Sequence, residues 1–245
     1  MNAFTQNAFG SGGGGGANLS TMSAGFMRLA TSPGFWQVNW PADAANGTNG
    51  YYTATVTGTA QTSTNGFGVL AQTGATSNSR ASARMPGGPF EGLGLAAWNT
   101  GGWREIDWSS PVFIGFTFSV FAATTAGKIW LKIGNTSATS GDMAGAGLQI
   151  RVDNLDLYFG AHNGVALDES AAQALPAISR EHAVRIEGDG AGNFAFYLNG
   201  TLVDTLTGPS AAVSFDGRIT AEAFNDTDSA NAAIWCSAIK IGVLQ

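Results

Sequence analysis

Apolar residues in this chain alternate with polar ones far more than they recur at helical spacing. From Phe35 onward, short runs rich in Val, Ile, Phe, Tyr, Trp and Thr are separated by Gly, Asn, Asp and Ser. That is the pattern of β-strands joined by turns. In "HAVRIEGD", Val184 and Ile186 fall on one face of a strand and Arg185 and Glu187 on the other. In "NFAFYLNG", Phe194, Phe196 and Leu198 share a face, and Asn199-Gly200 is a hairpin signal because both residues tolerate positive φ. Strands are expected near 35–40, 51–58, 67–73, 92–98, 103–108, 111–123, 128–134, 147–153, 155–161, 182–189, 193–207, 218–225 and 232–242.

One short helix is predicted over 168–175, "DESAAQAL", with Asp168 as its cap, Glu169 at the positive end of its dipole and Pro176 as its stop. A single helix among so many strands is a connector, so the expected class is an all-β antiparallel sandwich.

Residues 1–34 break this rhythm. They show no sustained period, repeat Asn-Ala-Phe at Asn2–Phe4 and Asn7–Phe9, and carry an unbroken glycine run from Gly12 to Gly16. The chain therefore divides into an extended Gly-rich docking arm, 1–34, and a β-sandwich domain, 35–245.

Composition narrows the class. The length of 245 residues suits one large all-β domain. Apolar residues make up 44% of the chain and charged ones 11%, which supports a sizeable core and excludes the low-hydrophobicity, high-charge signature of disorder. The net charge is −6 and the 11 basic residues are not clustered, so neither nucleic-acid binding nor a polybasic membrane patch is expected. No apolar run approaches the roughly 18 residues of a membrane helix, so membrane insertion is not expected. The N-terminus has no basic and hydrophobic leader regions, so no signal peptide is expected. Cys236 stands alone in "AAIWCSAIKIG", which rules out an internal disulfide and reads as a small buried hydrophobe.

The stretch "HAVRIEGDGAGNFAFYLNGTLVDTL" resembles the concanavalin A-like or laminin-G-like jelly-roll superfamily. The carrying features are the Gly/Asp turn at Glu187–Gly192, the alternating aromatics Phe194–Phe196, the run Tyr197-Leu198-Asn199-Gly200, and the outgoing strand Thr201–Leu206. The terminal "AAIWCSAIKIG" is similar to the family's closing strand. The resemblance covers about 60 C-terminal residues and implies a jelly-roll β-sandwich; it speaks to fold more than to function.

Within that superfamily, β-glucanases of the laminarinase and lichenase kind carry a Glu-x-Asp-x-x-Glu strand. Here "WREIDWSS" supplies Glu105 and Asp107, but the third position falls on Ser110, or on Ser109 in the shorter variant. Retaining hydrolysis needs two carboxyl groups about 5–5.5 Å apart, one of them a general acid. Serine cannot serve, so no enzyme and no catalytic residue is expected. Trp103 shares a face with Glu105 and Asp107, and these three residues are the candidate glycan-binding site. With two histidines and one cysteine, no nucleophilic triad or His/Cys metal cluster can be assembled, and no cofactor or metal is implied. The loop "NDTDSAN" offers oxygen ligands at Asn225, Asp226 and Asp228 but lacks EF-hand spacing, and such clusters more often make turns. "GDGAGN", 188–193, joins two strands rather than opening a helix, so it is not a phosphate loop.

The expected role is that of a structural and interaction protein of a phage-like virion, displayed on capsid or tail. It would assemble in the host cytoplasm and contact other virion proteins through residues 1–34. Phe4 and Phe9 would be the docking pegs; in an extended arm their rings stand about 17 Å apart. A homo-oligomer is expected, with a trimer favoured, and host-surface glycan is a further expected partner. The alternative class is a bacterial carbohydrate-binding module, with a degenerate β-glucanase-like hydrolase ranked after it.

Overall fold

The computed structural model describes residues 35–38, 48–49, 52–64, 68–74, 78–85, 108–109, 111–123, 127–134, 141–175, 177–210, 219–225, 231–237 and 239–243. The first strands are β1 (Phe35–Val38), β2 (Thr48–Asn49), β3 (Tyr52–Thr57), β4 (Gln61–Thr64), β5 (Gly68–Gln72) and β6 (Ser79–Met85). The middle of the chain forms β7 (Val112–Ala122), β8 (Gly127–Gly134), β9 (Gly147–Asp153), β10 (Asp156–His162), β11 (Leu167–Glu169) and β12 (Gln173–Ala174). The last are β13 (His182–Gly188), β14 (Asn193–Leu198), β15 (Thr201–Thr207), β16 (Ile219–Asn225), β17 (Ala233–Ser237) and β18 (Ile239–Val243).

All pairings are antiparallel and fall into two sheets. One runs β15-β14-β13-β7-β17-β5-β4, with β18 joining β7 and β1 joining β18. The other runs β11-β10-β9-β8-β16-β6-β3-β2, with β12 on β10. The all-β sandwich expected from the sequence is what forms.

The core is the set of inward positions the alternation marks. Ile114, Phe118, Val184, Ile186, Phe194 and Phe196 come from the first sheet; Ile129, Leu131, Ile150, Val152, Leu157 and Phe159 come from the second. Each large side chain removed from water contributes roughly 1.5–3 kcal/mol. Phe159 and Phe196 meet across the sandwich with ring centroids 5.4 Å apart. Trp108, 1% exposed, meets Phe194 edge-on at 5.6 Å. Cys236 is fully buried, and burial pushes its thiol well above the ordinary range, which makes it an inert core residue.

The hairpin forms where the sequence places it. Asn199 and Gly200 adopt φ of 51° and 85° between β14 and β15. Asn199 also accepts a bond from the Ala183 amide at 2.9 Å and meets His182 Nδ1 at 3.1 Å, which ties the turn to β13. The "GDGAGN" segment is a turn organised by Asp189, whose carboxylate takes the Ala191 amide at 2.7 Å and the Asn193 amide at 3.0 Å.

The predicted helix over 168–175 does not exist. Its residues form the short strands β11 and β12 on either side of an extended link, both paired to β10. Asp168 caps no helix; its Oδ2 accepts the Thr207 amide at 2.6 Å and so joins the edge of the second sheet to β15 of the first. Ser170 turns its hydroxyl to the Phe159 amide at 3.1 Å, and its own amide bonds the Phe159 carbonyl at 2.8 Å. Pairing to an existing strand edge overrides the local capping pattern. Among the described residues there is no helix, and so none long and apolar enough to cross a membrane.

Candidate functional site

The outer face of the second sheet is where polar chemistry gathers. β8 sends Ile129, Leu131 and Ile133 inward, which leaves Lys128, Trp130 and Lys132 outward. β9 does the same with Leu148, Ile150 and Val152 against Gln149, Arg151 and Asp153. Register then sets Glu222, Trp130, Arg151 and Tyr158 in one row across β16, β8, β9 and β10.

Residues 141–146 fold back over this row, and Gly134 and Gly147 make that return possible. The two glycines face each other at the ends of β8 and β9 with φ of 132° and 155°. A Cβ on Gly134 would stand 2.6 Å from the Ala146 carbonyl oxygen. The returning segment packs Met143 down, 4% exposed, and its amide donates to Gln149 Oε1 at 2.8 Å. Asp142 follows: its Oδ1 accepts from Trp130 Nε1 at 3.0 Å and from Gln149 Nε2 at 3.0 Å, and lies 3.4 Å from Arg151 Nε. Asp142 remains 44% exposed, so a rigidly held carboxylate faces solvent with its Oδ2 free of hydrogen bonds among the described residues.

Arg151 is the hub. It grips Glu169 through Nε at 3.1 Å and Nη2 at 2.6 Å, and Asp153 through Nη1 at 2.7 Å. Its guanidinium stacks 4.3 Å from the centre of the Tyr158 ring. Burial works against the charge of Arg151, but the bond to Glu169 and the charges of Glu169, Asp142 and Asp153 outweigh it and raise its pKa. Lys128 reaches Asp153 at 3.7 Å. Three carboxylates (Asp142, Asp153, Glu169) thus face two cations (Arg151, Lys128), for a net charge of −1.

At the β16 end of the row sits a buried ion triad. Glu222, 1% exposed, holds Arg80 Nε at 2.7 Å and Lys132 Nζ at 3.5 Å, and Lys132 is fully buried. Burial lowers the Lys132 pKa below its ordinary value and Glu222 offsets part of that. The Trp130 ring centre lies 5.2 Å from Lys132 Nζ, so the indole roofs the ammonium. At the end of β10, burial lowers the His162 pKa, and its Nδ1 accepts the Gly164 amide at 3.0 Å.

Trp103, Glu105 and Asp107, the pegs Phe4 and Phe9, and Asp226 and Asp228 all lie outside the described residues. Of their neighbours, Trp108 is core and Asn225 is fully buried with its Nδ2 on the Gly74 carbonyl at 3.4 Å. No group of His, Cys, Asp and Glu among the described residues is arranged to hold a metal ion. The site around Arg151 was not singled out, although its signal lies in the alternation: "KIWLKIG" carries Lys128, Trp130 and Lys132, and "GLQIRVD" carries Gln149, Arg151 and Asp153, at outward positions.

The two sheets and their strand order define an antiparallel jelly-roll sandwich. No family model matches the chain, and no curated protein sequence matches it. Solved structures share the architecture. A protein of unknown function from Shewanella oneidensis MR-1 is similar at 16% identity and a TM-score of 0.54, over 91% of this chain and 93% of that one. The Emp47p carbohydrate recognition domain matches at 12% identity and a TM-score of 0.49, over 85% and 95%. The binding domain of botulinum neurotoxin DC, solved with rat synaptotagmin II, matches at 16% identity and a TM-score of 0.47 over 80% of this chain. The chain spans 45% of that toxin chain.

Proposed function

We propose that this protein is a non-catalytic, lectin-like interaction module that takes a neutral glycan on the outer face of its second sheet. The observation that carries this reading is the Arg151 cluster: a guanidinium locked by Glu169, Asp153 and Asp142 and stacked on Tyr158, at one end of a rigid row of side chains. Glycan sites combine an aromatic body with a few fixed polar groups that read hydroxyls. Asp142 supplies such a group, with one oxygen pinned and the other open to solvent. The cluster's charge of −1 selects a polyol or amine-bearing sugar and repels an acidic one. The carboxylates are engaged in ion pairs rather than set as a separated acid and base, so the arrangement serves binding and not hydrolysis.

On a glycan array, binding to neutral oligosaccharides is expected. Arg151→Ala and Tyr158→Ala are each expected to weaken it about tenfold or more with circular dichroism unchanged, since each removes contacts worth on the order of 1.5–3 kcal/mol. Absence of any neutral ligand, or neutral binding indifferent to both substitutions, would sink the reading.

The setting is proposed from the sequence: the module is displayed on a phage-like virion, with Phe4 and Phe9 docking into a neighbouring virion protein across the hinge Gly12–Gly16. Deleting residues 2–9 is expected to leave the sandwich folded and to abolish co-purification with particles. Retention on particles after that deletion would refute the docking role.

A further inference from the structure

A second constellation lies on the outer face of the first sheet, across the sandwich from the Arg151 cluster. Register aligns Tyr197, Arg185, Gly115 and Lys240 in one row over β14, β13, β7 and β18. Arg185 is 5% exposed. Its guanidinium lies flat on Tyr197, 3.6 Å from the ring centre. Among the described residues its carboxylate partner is Glu187, whose Oε1 is 3.4 Å from Nε, and the buried Nε makes no hydrogen bond. The guanidinium as a whole has no hydrogen bond among the described residues.

That is an unusual state for a charged group. A buried cation without hydrogen-bonded partners costs several kcal/mol, and folded proteins avoid it unless something occupies the position. Contrast Arg151 on the other sheet, which has three hydrogen bonds to carboxylates. Gly115 in this row is buried by its surroundings. Gly115, between Arg185 and Lys240, presents no side chain, while Phe113 and Thr117 stand to either side of it on the same face of β7. Arg185 and Lys240 are two strands apart, so their Cα atoms are separated by about 10 Å, which long side chains bridge readily. Burial holds the Lys240 pKa below its ordinary value.

We propose that Arg185, backed by Tyr197, is an anion site that takes an oxyanion, the carboxylate of an acidic sugar or a phosphate ester, in place of Glu187. The fork of Arg185 donates to two of its oxygens and the Tyr197 ring backs the fork. Glu187 is the group the anion competes with. This site is separate from the neutral-glycan face, and its ligand preference is opposite in sign.

The experiment follows the Arg185 Nε–H signal of the full chain by NMR during titration with glucuronate, with inorganic phosphate and with glucose. A saturable shift with glucuronate or phosphate, weakened by added salt, and none with glucose is expected; which anion binds more tightly identifies the source of the oxyanion. Arg185→Gln, followed by calorimetry, is expected to weaken binding about tenfold or more. Should that variant fail to fold, Glu187→Gln tests the same point from the surface, because the Glu187 side chain is 38% exposed. Removing the competing carboxylate is expected to tighten anion binding severalfold, whereas anion affinity unchanged in Glu187→Gln would overturn the site. So would an equal shift with glucose, or no shift with either anion. Arg151→Ala is expected to leave anion binding untouched. Acidic-glycan binding that survives Arg151→Ala, tightens in Glu187→Gln and is lost in Arg185→Gln thus belongs to this site alone.

Discussion

Glu222→Ala is expected to destabilise the fold by about 3–5 kcal/mol, the cost of stripping one partner from a buried ion pair. For a chain of this size that is a fall in melting temperature on the order of 10 °C. The reason is the position of the charge. Lys132 is fully buried under the Trp130 ring, and Glu222 is its carboxylate, shared with Arg80. Without Glu222 the ammonium loses both its counter-charge and its hydrogen-bond acceptor, and burial then drives its pKa lower still. The double replacement Lys132→Met with Glu222→Leu removes both charges and keeps comparable volume. It is expected to recover most of the loss, because apolar side chains of matched size often substitute for a buried pair at little cost. Urea melts of Lys132→Met, Glu222→Leu and the double variant measure the coupling. A loss below about 1 kcal/mol for Glu222→Ala is what a solvent-exposed pair would give, and would show the triad to be open to water.

The fold was largely legible because the strands that build the core advertise themselves. β7, β8, β9, β13 and β14 carry large apolar residues at alternate positions, and the sequence expectation places each within a residue or two of its observed bounds. The strand that escaped is β6, "SRASARM". It lies inside the second sheet between β16 and β3, yet the apolar side chains it gives to the core among the described residues are Ala81 and Ala83. Alanine is a weak strand former, and this segment is extended because both neighbours pair with it. β4, "QTST", sits at the sheet edge and is hidden for the same reason. The misread helix at 168–175 is the converse case, where local chemistry pointed one way and the free edge of β10 decided otherwise.

The site was less legible than the fold. Each outward residue of β8 and β9 can be read from alternation, but their meaning lies in register. Only pairing puts Trp130 beside Arg151 and Arg151 beside Tyr158. Asp142 carries no local signal in "SGDMAG"; its role depends on the chain returning over β8 and β9. Glu169 was assigned to a helix dipole and instead closes on Arg151 from a strand that local pattern did not reveal.

That return over the sheet gives the sharpest test of the binding face. Gly147→Ala is expected to weaken neutral-glycan affinity about tenfold while the sandwich stays folded, since it disturbs a contact set worth on the order of 1.5 kcal/mol or more. A Cβ at this position meets the Ile133 carbonyl oxygen and the Met143 methyl, and crowds the Gly134 Cα at 2.9 Å. The backbone of β8 cannot give way, because it is paired on both sides by β9 and β16. The strain, on the order of 1–3 kcal/mol, is therefore relieved by lifting residues 141–146. Met143 then leaves Gln149, and Asp142 loses the Trp130 and Gln149 bonds that hold its carboxylate in place. If that is the mechanism, Gly147→Ala and Asp142→Ala remove the same thing, and their effects on affinity are not additive. The double variant should bind about as weakly as the weaker single one. Wild-type affinity in Gly147→Ala, or two losses that sum, would mean that the carboxylate of Asp142 does not depend on the glycine pair for its position.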